Sequence, residues 1–218
     1  MGHSLSAKSL CAGIHKPCQV LFFVKFPQPG HVKTRLARSI GAEKAAQTYR
    51  LLAEANWLQL KSIQGMNVHA QILYDPTHSL ESFKSWLGEK ETHYEAQRGR
   101  DLGERLQNAI AGAFRSGVQK VLVVGSDTIN LQSCLLRTSL EVLHCYDVVL
   151  GPAKDGGYYL IGMKSFHAGL FTAIHWSAPE VLKETVARIK KLQLSYQLLT
   201  ELEDLDDIDN LMTKGGLA

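Results

Sequence analysis

Phe22-Phe23-Val24-Lys25-Phe26-Pro27-Gln28-Pro29-Gly30-His31-Val32-Lys33-Thr34-Arg35-Leu36 is an apolar strand pattern that breaks into a Pro/Gly loop and leaves through cations into a helix. A helix beginning near Thr34 has a partly positive N-terminus, and Lys33 and Arg35 add two charges of the same sign there. The placement is unfavourable until backbone N–H groups bind a phosphate or diphosphate, after which each cation becomes favourable. The stretch is not a Walker A loop, which needs a second glycine and a Gly-Lys pair before the Ser/Thr; only Gly30 is present. The structural alternative is an ordinary strand-turn-helix corner with solvated basic residues.

Outward from this stretch, short apolar runs alternate with longer helical patterns, the mark of a parallel sheet covered by helices. Strands are predicted at 19–25, 67–73, 91–96, 120–126, 146–150, 157–163 and 193–199. Helices are predicted at about 42–64, 101–116, 131–144 and 178–191, each with apolar residues at three- and four-residue intervals. Only Gly151-Pro152-Ala153-Lys154-Asp155-Gly156-Gly157 joins Asp147-Val148-Val149-Leu150 to Tyr158-Tyr159-Leu160-Ile161, too short a link for a crossover helix, so the sheet must be mixed in its C-terminal half. The expected fold is a single α/β domain over 18–218. Its mostly parallel, mixed sheet has about seven strands, with helices on both faces.

The 218 residues, 45% hydrophobic and 21% charged, suffice for one domain with a real core. The net charge of +3 comes without a block of Lys or Arg, which argues against nucleic-acid binding and leaves small acidic ligands. Cys11, Cys18, Cys134 and Cys145 lack C-x-x-C spacing, so neither a zinc site nor a redox dithiol is indicated and a reduced cytoplasm is expected. Residues 1–17 read as a flexible or peripheral arm, and no run of 18 apolar residues suggests membrane insertion.

Four further stretches carry chemistry. Val121-Leu122-Val123-Val124-Gly125-Ser126-Asp127 is a buried-strand run whose Asp falls at the carboxyl end, the edge where open α/β sheets bind ligands. Asp127 there can hold Mg²⁺ or Mn²⁺, which bridges phosphate oxygens to one or two carboxylates, or can merely cap the next turn. In Arg98-Gly99-Arg100-Asp101-Leu102-Gly103-Glu104-Arg105, Asp101 and Glu104 have capping-box spacing, while three arginines gather near another helix N-terminus. Lys154-Asp155-Gly156-Gly157-Tyr158-Tyr159 is a turn whose glycines admit close backbone approach and whose tyrosines suit a sugar or base. Finally, six acids fall within the nine residues 201–209; the interleaved Leu202, Leu205 and Ile208 argue that the run packs, with Asp207 or Asp209 free to turn toward Asp127. The histidines show no zinc motif, and Ser126 and Ser177 lack a nucleophile elbow.

Taken together, the motifs at 23–36, 99–105, 125–127 and 151–162, with Ile174-His175-Trp176-Ser177, resemble the radical-SAM/selenodomain-associated transferase family. That group is glycosyltransferase-like, within the nucleotide-diphospho-sugar transferase superfamily, so the resemblance implies a GT-A, Rossmann-like sandwich. It further implies nucleotide binding by Lys25, Pro29, Gly30, Lys33, Arg35 and Asp101, with Asp127 and Asp209 as ligands of Mg²⁺ or Mn²⁺. Asp155, Gly156, Gly157, Tyr158 and Trp176 are the expected substrate contacts, and Lys33, Arg35 and Asp155 the candidate catalytic groups. Two positions depart from the family pattern: Ile129 stands where Pro is usual, and Asn210 where Thr is.

Three functions fit. The first is metal-dependent glycosyl transfer from a nucleotide sugar to a small acceptor. The second is nucleotidyl transfer from an NTP to a phosphorylated small molecule with pyrophosphate release, since guanylylating enzymes of the superfamily carry a segment like Lys33-Thr34-Arg35-Leu36. The third, motivated by Ile129 and Asn210, is a non-catalytic nucleotide-binding protein.

Overall fold

The computed structural model describes residues 17–65, 67–90, 92–176 and 178–206. The elements run β1 (Cys18–Val24), α1 (Thr34–Ile40), α2 (Ala42–Lys61), β2 (Val68–Tyr74), α3 (Leu80–Leu87), β3 (His93–Ala96), α4 (Leu102–Arg115), β4 (Lys120–Gly125), β5 (Thr128–Ile129), α5 (Ser133–Val142), β6 (Val148–Pro152), β7 (Tyr158–Met163), α6 (Val181–Lys191), β8 (Tyr196–Leu198) and β9 (Glu203–Asp204). The main sheet has seven strands in the order β3-β2-β1-β4-β7-β6-β8. β7 runs antiparallel to both its neighbours, and every other pairing in the sheet is parallel. The short 151–157 link accounts for this: without a crossover helix, β7 must return antiparallel to β6.

Burial on both faces explains why the strands read as nearly continuous apolar runs. Along β1, Val20, Phe22 and Val24 enter one core with Trp57 and Leu60 of α2, Phe83 of α3 and Leu136 of α5. The intervening Leu21 enters a second core with Ile110 of α4 and Ile189 of α6. The period-2 alternation of a strand thus serves two helical layers at once. In α2 the buried positions Ala45, Ala46, Tyr49, Ala53, Asn56, Trp57 and Leu60 recur at helical spacing, which seats this helix along the sheet with its polar exceptions aimed at the strand ends.

Three elements escape the sequence reading. α3 is one short helix, capped where the Ser79 hydroxyl accepts from the Ser82 N–H and ended at Gly88. β5 and β9 form a separate two-stranded antiparallel ladder, Thr128 opposite Asp204 and Ile129 opposite Glu203. Among the described residues Cys18, Cys134 and Cys145 are free thiols, and no helix is long and apolar enough to cross a membrane.

Candidate functional site

Strands β1 and β4 are parallel and in register through Phe23 and Gly125, so their carboxyl ends finish level. A cleft of about 700 Å³ opens at that edge. The loop after β1 and the turn after β4 therefore face each other, as expected of an open α/β sheet.

Helix α2 ties the two strand ends together from below. The Tyr49 hydroxyl accepts from the Lys25 N–H at 3.0 Å and lies 3.2 Å from the Lys25 carbonyl and 2.8 Å from Ser126 Oγ. Two turns on, Asn56 Nδ2 donates to the carbonyls of Ser126 at 3.2 Å and Thr128 at 2.9 Å. Burial drives the Tyr49 phenol far above its usual pKa, against the opposing effect of the Ser126 hydrogen bond, so it stays a neutral hydrogen-bonding hub.

Lys33 is the N-cap of α1 and holds a left-handed backbone, φ 47° and ψ 48°. For a residue with a Cβ this costs on the order of 1–2 kcal/mol. Its ammonium lies 2.6 Å from Asp127 Oδ2 and 3.1 Å from Asp206 Oδ1, with the side chain only 8% exposed. Burial alone would lower the ammonium pKa; the charges and hydrogen bonds of Asp127 and Asp206 outweigh it and raise it. Arg35, 76% exposed, sits 3.8 Å from the other Asp206 oxygen and is available to a ligand.

Asp206 arrives by way of the β5/β9 ladder. The Leu205 N–H donates to the Asp127 carbonyl at 3.0 Å, and the Leu205 side chain is buried with Leu36 and Ala45. Thr128 Oγ1 donates to Asp204 Oδ1 at 3.0 Å. Burial first, and the Asp127 charge second, push the Asp204 carboxyl up to about 7 even though Lys33 and Thr128 pull it down. The acidic run thus packs inward as expected: Asp206 shares the Lys33 ammonium with Asp127, and the Asp204 carboxyl is buried within reach of the Asp127 charge. Asp209, the residue expected to turn toward Asp127, lies outside the described residues, as do Asp207 and Asn210. Sequence reasoning missed Asp206 because which acid turns inward depends on the register of a two-residue strand.

Asp127 and Asp206, both against the Lys33 ammonium, offer hard oxygen donors of the kind that suits Mg²⁺ or Mn²⁺ completed by water and phosphate oxygens. Among the described residues no cluster of three His, Cys, Asp or Glu side chains could hold a metal. Among those residues, two carboxylates with exogenous oxygens form the donor set.

The opposite wall is held by a part-buried ion pair. Arg105 Nη1 donates to Asp75 Oδ2 at 2.7 Å and to Gln97 Oε1 at 3.2 Å, while Gln97 Nε2 donates to the Leu73 carbonyl at 2.7 Å. Burial works against the Asp75 carboxylate, but hydrogen bonds from Thr77 and Arg105 win and hold it below the usual range. Asp101 lines the cleft and caps α4, accepting from the Glu104 N–H at 2.9 Å. The reciprocal half of the predicted capping box is shifted by one residue: the Glu104 carboxylate accepts from the Arg100 N–H at 3.0 Å and pairs with its guanidinium.

Of the remaining expected site residues, Lys25, Tyr158 and Tyr159 line the cleft; Pro29, Gly30, Asp155, Gly156, Gly157 and Trp176 are not among its walls. Gly30 supplies the positive φ of 79° that turns the loop. Asp155 Oδ1 accepts from the Gly157 N–H at 2.8 Å, an Asx turn. Gly156, at φ 89°, lies so close to the Pro179 carbonyl that any Cβ would collide with it, and its own carbonyl accepts from the Leu182 N–H at 2.9 Å. Trp176 lies over Gly103, where a Cβ would strike the indole. These residues brace the cleft: the hairpin fixes the start of α6, and the indole fixes the start of α4.

The architecture is that of the GT-A-like nucleotide-sugar transferase folds. The crystal structure of a Desulfovibrio desulfuricans protein, designated a candidate nucleotide-diphospho-sugar transferase, superposes with TM-score 0.81 at 38% identity over 87% of this chain and 82% of its own. The chain belongs to the family described as uncharacterized proteins conserved in bacteria (DUF2064), whose pattern matches residues 59–178. That span contains Asp75, Arg105 and Asp127 but neither Lys33 nor Asp206. More distant structures share the fold alone. Glucosyl-3-phosphoglycerate synthase from Mycobacterium tuberculosis, bound to Mn²⁺, UDP and glucosyl-3-phosphoglycerate, gives TM-score 0.54 at 11% identity, covering 87% of this chain and 71% of its own. CMP:2-keto-3-deoxy-manno-octonic acid synthetase complexed with CTP gives 0.54 at 9%, covering 90% and 96%. No protein of curated function matches the sequence.

Proposed function

We propose that the protein is a Mg²⁺- or Mn²⁺-dependent transferase using a nucleotide-activated donor, and that it moves a glycosyl group from a nucleotide sugar to a small acceptor. The observation that carries this reading is the meeting of Lys33, Asp127 and Asp206 at the carboxyl ends of β1 and β4. The family relation and the Mn²⁺- and UDP-bound neighbour of the same fold support it.

Asp127 and Asp206 would hold the metal, which when bound supplies positive charge to a departing diphosphate. Lys33 and Arg35 stand where phosphate oxygens would lie, and Arg35 can turn to them without breaking a close pair. Asp101 and Lys25, on the cleft wall, are placed to meet the nucleoside side of the donor. The substrate's own oxygens would take the acceptor proton; Asp155, fixed by the Gly157 N–H outside the cleft walls, would do so only for an acceptor that extends past them. The finer placement in the radical-SAM/selenodomain-associated group, and in the cytoplasm, rests on the motif resemblance and the unpaired cysteines.

Nucleotidyl transfer is the second reading, favoured by Lys33-Thr34-Arg35-Leu36 and by the fold shared along 96% of a CTP-bound synthetase. Incubation with Mn²⁺, nucleotide sugars or NTPs, and candidate acceptors separates the two. A nucleoside diphosphate as product supports glycosyl transfer; pyrophosphate released from an NTP replaces it with nucleotidyl transfer. Metal-dependent thermal stabilisation by nucleotides with no turnover across donors would leave a binding protein.

A further inference from the structure

The Lys33 ammonium lies between the two carboxylates that would hold a metal, 2.6 Å from Asp127 Oδ2 and 3.1 Å from Asp206 Oδ1. A divalent cation bonds carboxylate oxygens at about 2.0–2.1 Å for Mg²⁺, so it and the ammonium contend for the same lone pairs. With Arg35 beside Asp206, two cations face these two carboxylates. A metal arriving alone adds two positive charges beside a buried ammonium that already holds one oxygen of each acid. Arriving with a diphosphate, it brings its own negative charge, and the phosphate oxygens offer the ammonium a new partner. The Lys33 backbone fits a residue held in place rather than at rest, since a left-handed residue with a Cβ persists only where its surroundings over-determine it.

We propose that Lys33 and a divalent cation compete for Asp127 and Asp206, so that the cation binds weakly until a nucleotide diphosphate draws the ammonium away. Lys33 is then a positioning residue that couples metal binding to the nucleotide. This rests on the transferase reading of the same cleft.

Calorimetric titration of Mn²⁺ into the protein without nucleotide, compared with Lys33→Met, tests the competition. The variant keeps the unbranched shape, one atom shorter, and loses the charge, and its unfolding curve shows whether it is folded. Mn²⁺ should bind it at least about tenfold more tightly than the unmutated protein, inside the ~5–150-fold span of ordinary coupling between sites. Equal or weaker binding overturns the proposal. A second measurement needs no variant: amine acylation read by peptide mass spectrometry. Lys33 should be protected in the free protein and become labelled as Mn²⁺ saturates, saturation being followed by electron paramagnetic resonance. Unchanged protection at full Mn²⁺ occupancy also overturns it. UDP, GDP and CTP are then titrated with and without Mn²⁺. If none binds in either state, the transferase reading falls and the diphosphate with it, while the two Mn²⁺ measurements still decide the competition at Lys33.

Discussion

Replacing Tyr49 by Phe removes one oxygen and leaves the ring in the core with Phe22 and Trp57. That oxygen joins the ends of β1 and β4. A hydroxyl has one proton to give, so when Tyr49 donates to the Lys25 carbonyl, Ser126 Oγ donates to Tyr49, and the Lys25 N–H donates as well. In the variant, Lys25 N–H and Ser126 O–H lose their acceptor and the Lys25 carbonyl its donor. Ser126 is only 6% exposed, so water cannot readily replace the missing partner. A buried group left unpaired costs about 1–3 kcal/mol, which sets the expected loss near ~2 kcal/mol. For a chain of this size each kcal/mol moves Tm by about 2–4 °C, so Tyr49→Phe should melt roughly 4–8 °C lower. Chemical denaturation should show a lower midpoint with an unchanged slope, since the exposed surface is the same. Pairing the change with Ser126→Ala, which removes the orphaned hydroxyl, should return part of the loss. A Tyr49→Phe protein within about 0.5 kcal/mol of the parent would refute the hub, because surface-like tolerance is incompatible with a bond that carries two strand ends.

Three other outcomes are expected. Gly156→Ala should give little soluble protein, or a loss of several kcal/mol (~3 or more) in unfolding experiments, because its Cβ would collide with the Pro179 carbonyl at a backbone φ of 89°. Arg105→Met should cost toward the lower end of the ~3–5 kcal/mol typical of a broken buried pair, since Asp75 keeps the Thr77 N–H at 3.0 Å; adding Asp75→Asn should recover part of it in the same denaturation assay. Asp147 is pulled down to about 2 from an ordinary 3.8, chiefly by hydrogen bonds from the Ser195 hydroxyl and N–H, with Lys164 adding to it. Its folded value lies below its unfolded one, so its contribution is present above the unfolded value and fades as pH falls from 3.8 toward 2; Asp147→Asn should flatten the melting temperature in that window.

What the sequence made legible follows from where its signals are local. The run Val20 to Val24 and the run Val121 to Val124 are apolar on both faces, which only a strand between two helical layers needs, and both strands fall within one residue of expectation. The 151–157 link announced the antiparallel β7 through its length alone. Lys33, Arg35 and Asp127 were legible for the same kind of reason: each sits at an abrupt change from apolar strand to polar loop. α3 was not, because eight residues make little more than two turns, too few for the Leu80, Phe83, Trp86 and Leu87 spacing to stand out. Asp206 was hidden for another reason. Its position depends on Thr128 facing Asp204 across 76 residues, a long-range register with no local trace. The glycines of the Asp155 turn were read as room for a ligand, and at Gly156 the room is taken by Pro179. Sequence shows that a position must be small, and only the packed chain shows what fills the space.

The β5/β9 ladder makes the site a record of its own assembly. The seven-stranded sheet contains Asp127, but Asp206 reaches it only after residues 202–206 have docked, through the Leu205 N–H and the Leu205 side chain, onto the β4–β5 turn and α1. Until then the Lys33 ammonium has one carboxylate instead of two. A molecule whose sheet is formed but whose 202–206 segment has not docked would keep Asp127 and have half of its acid pair. Ligand binding that draws on both acids would therefore report that this small ladder has closed.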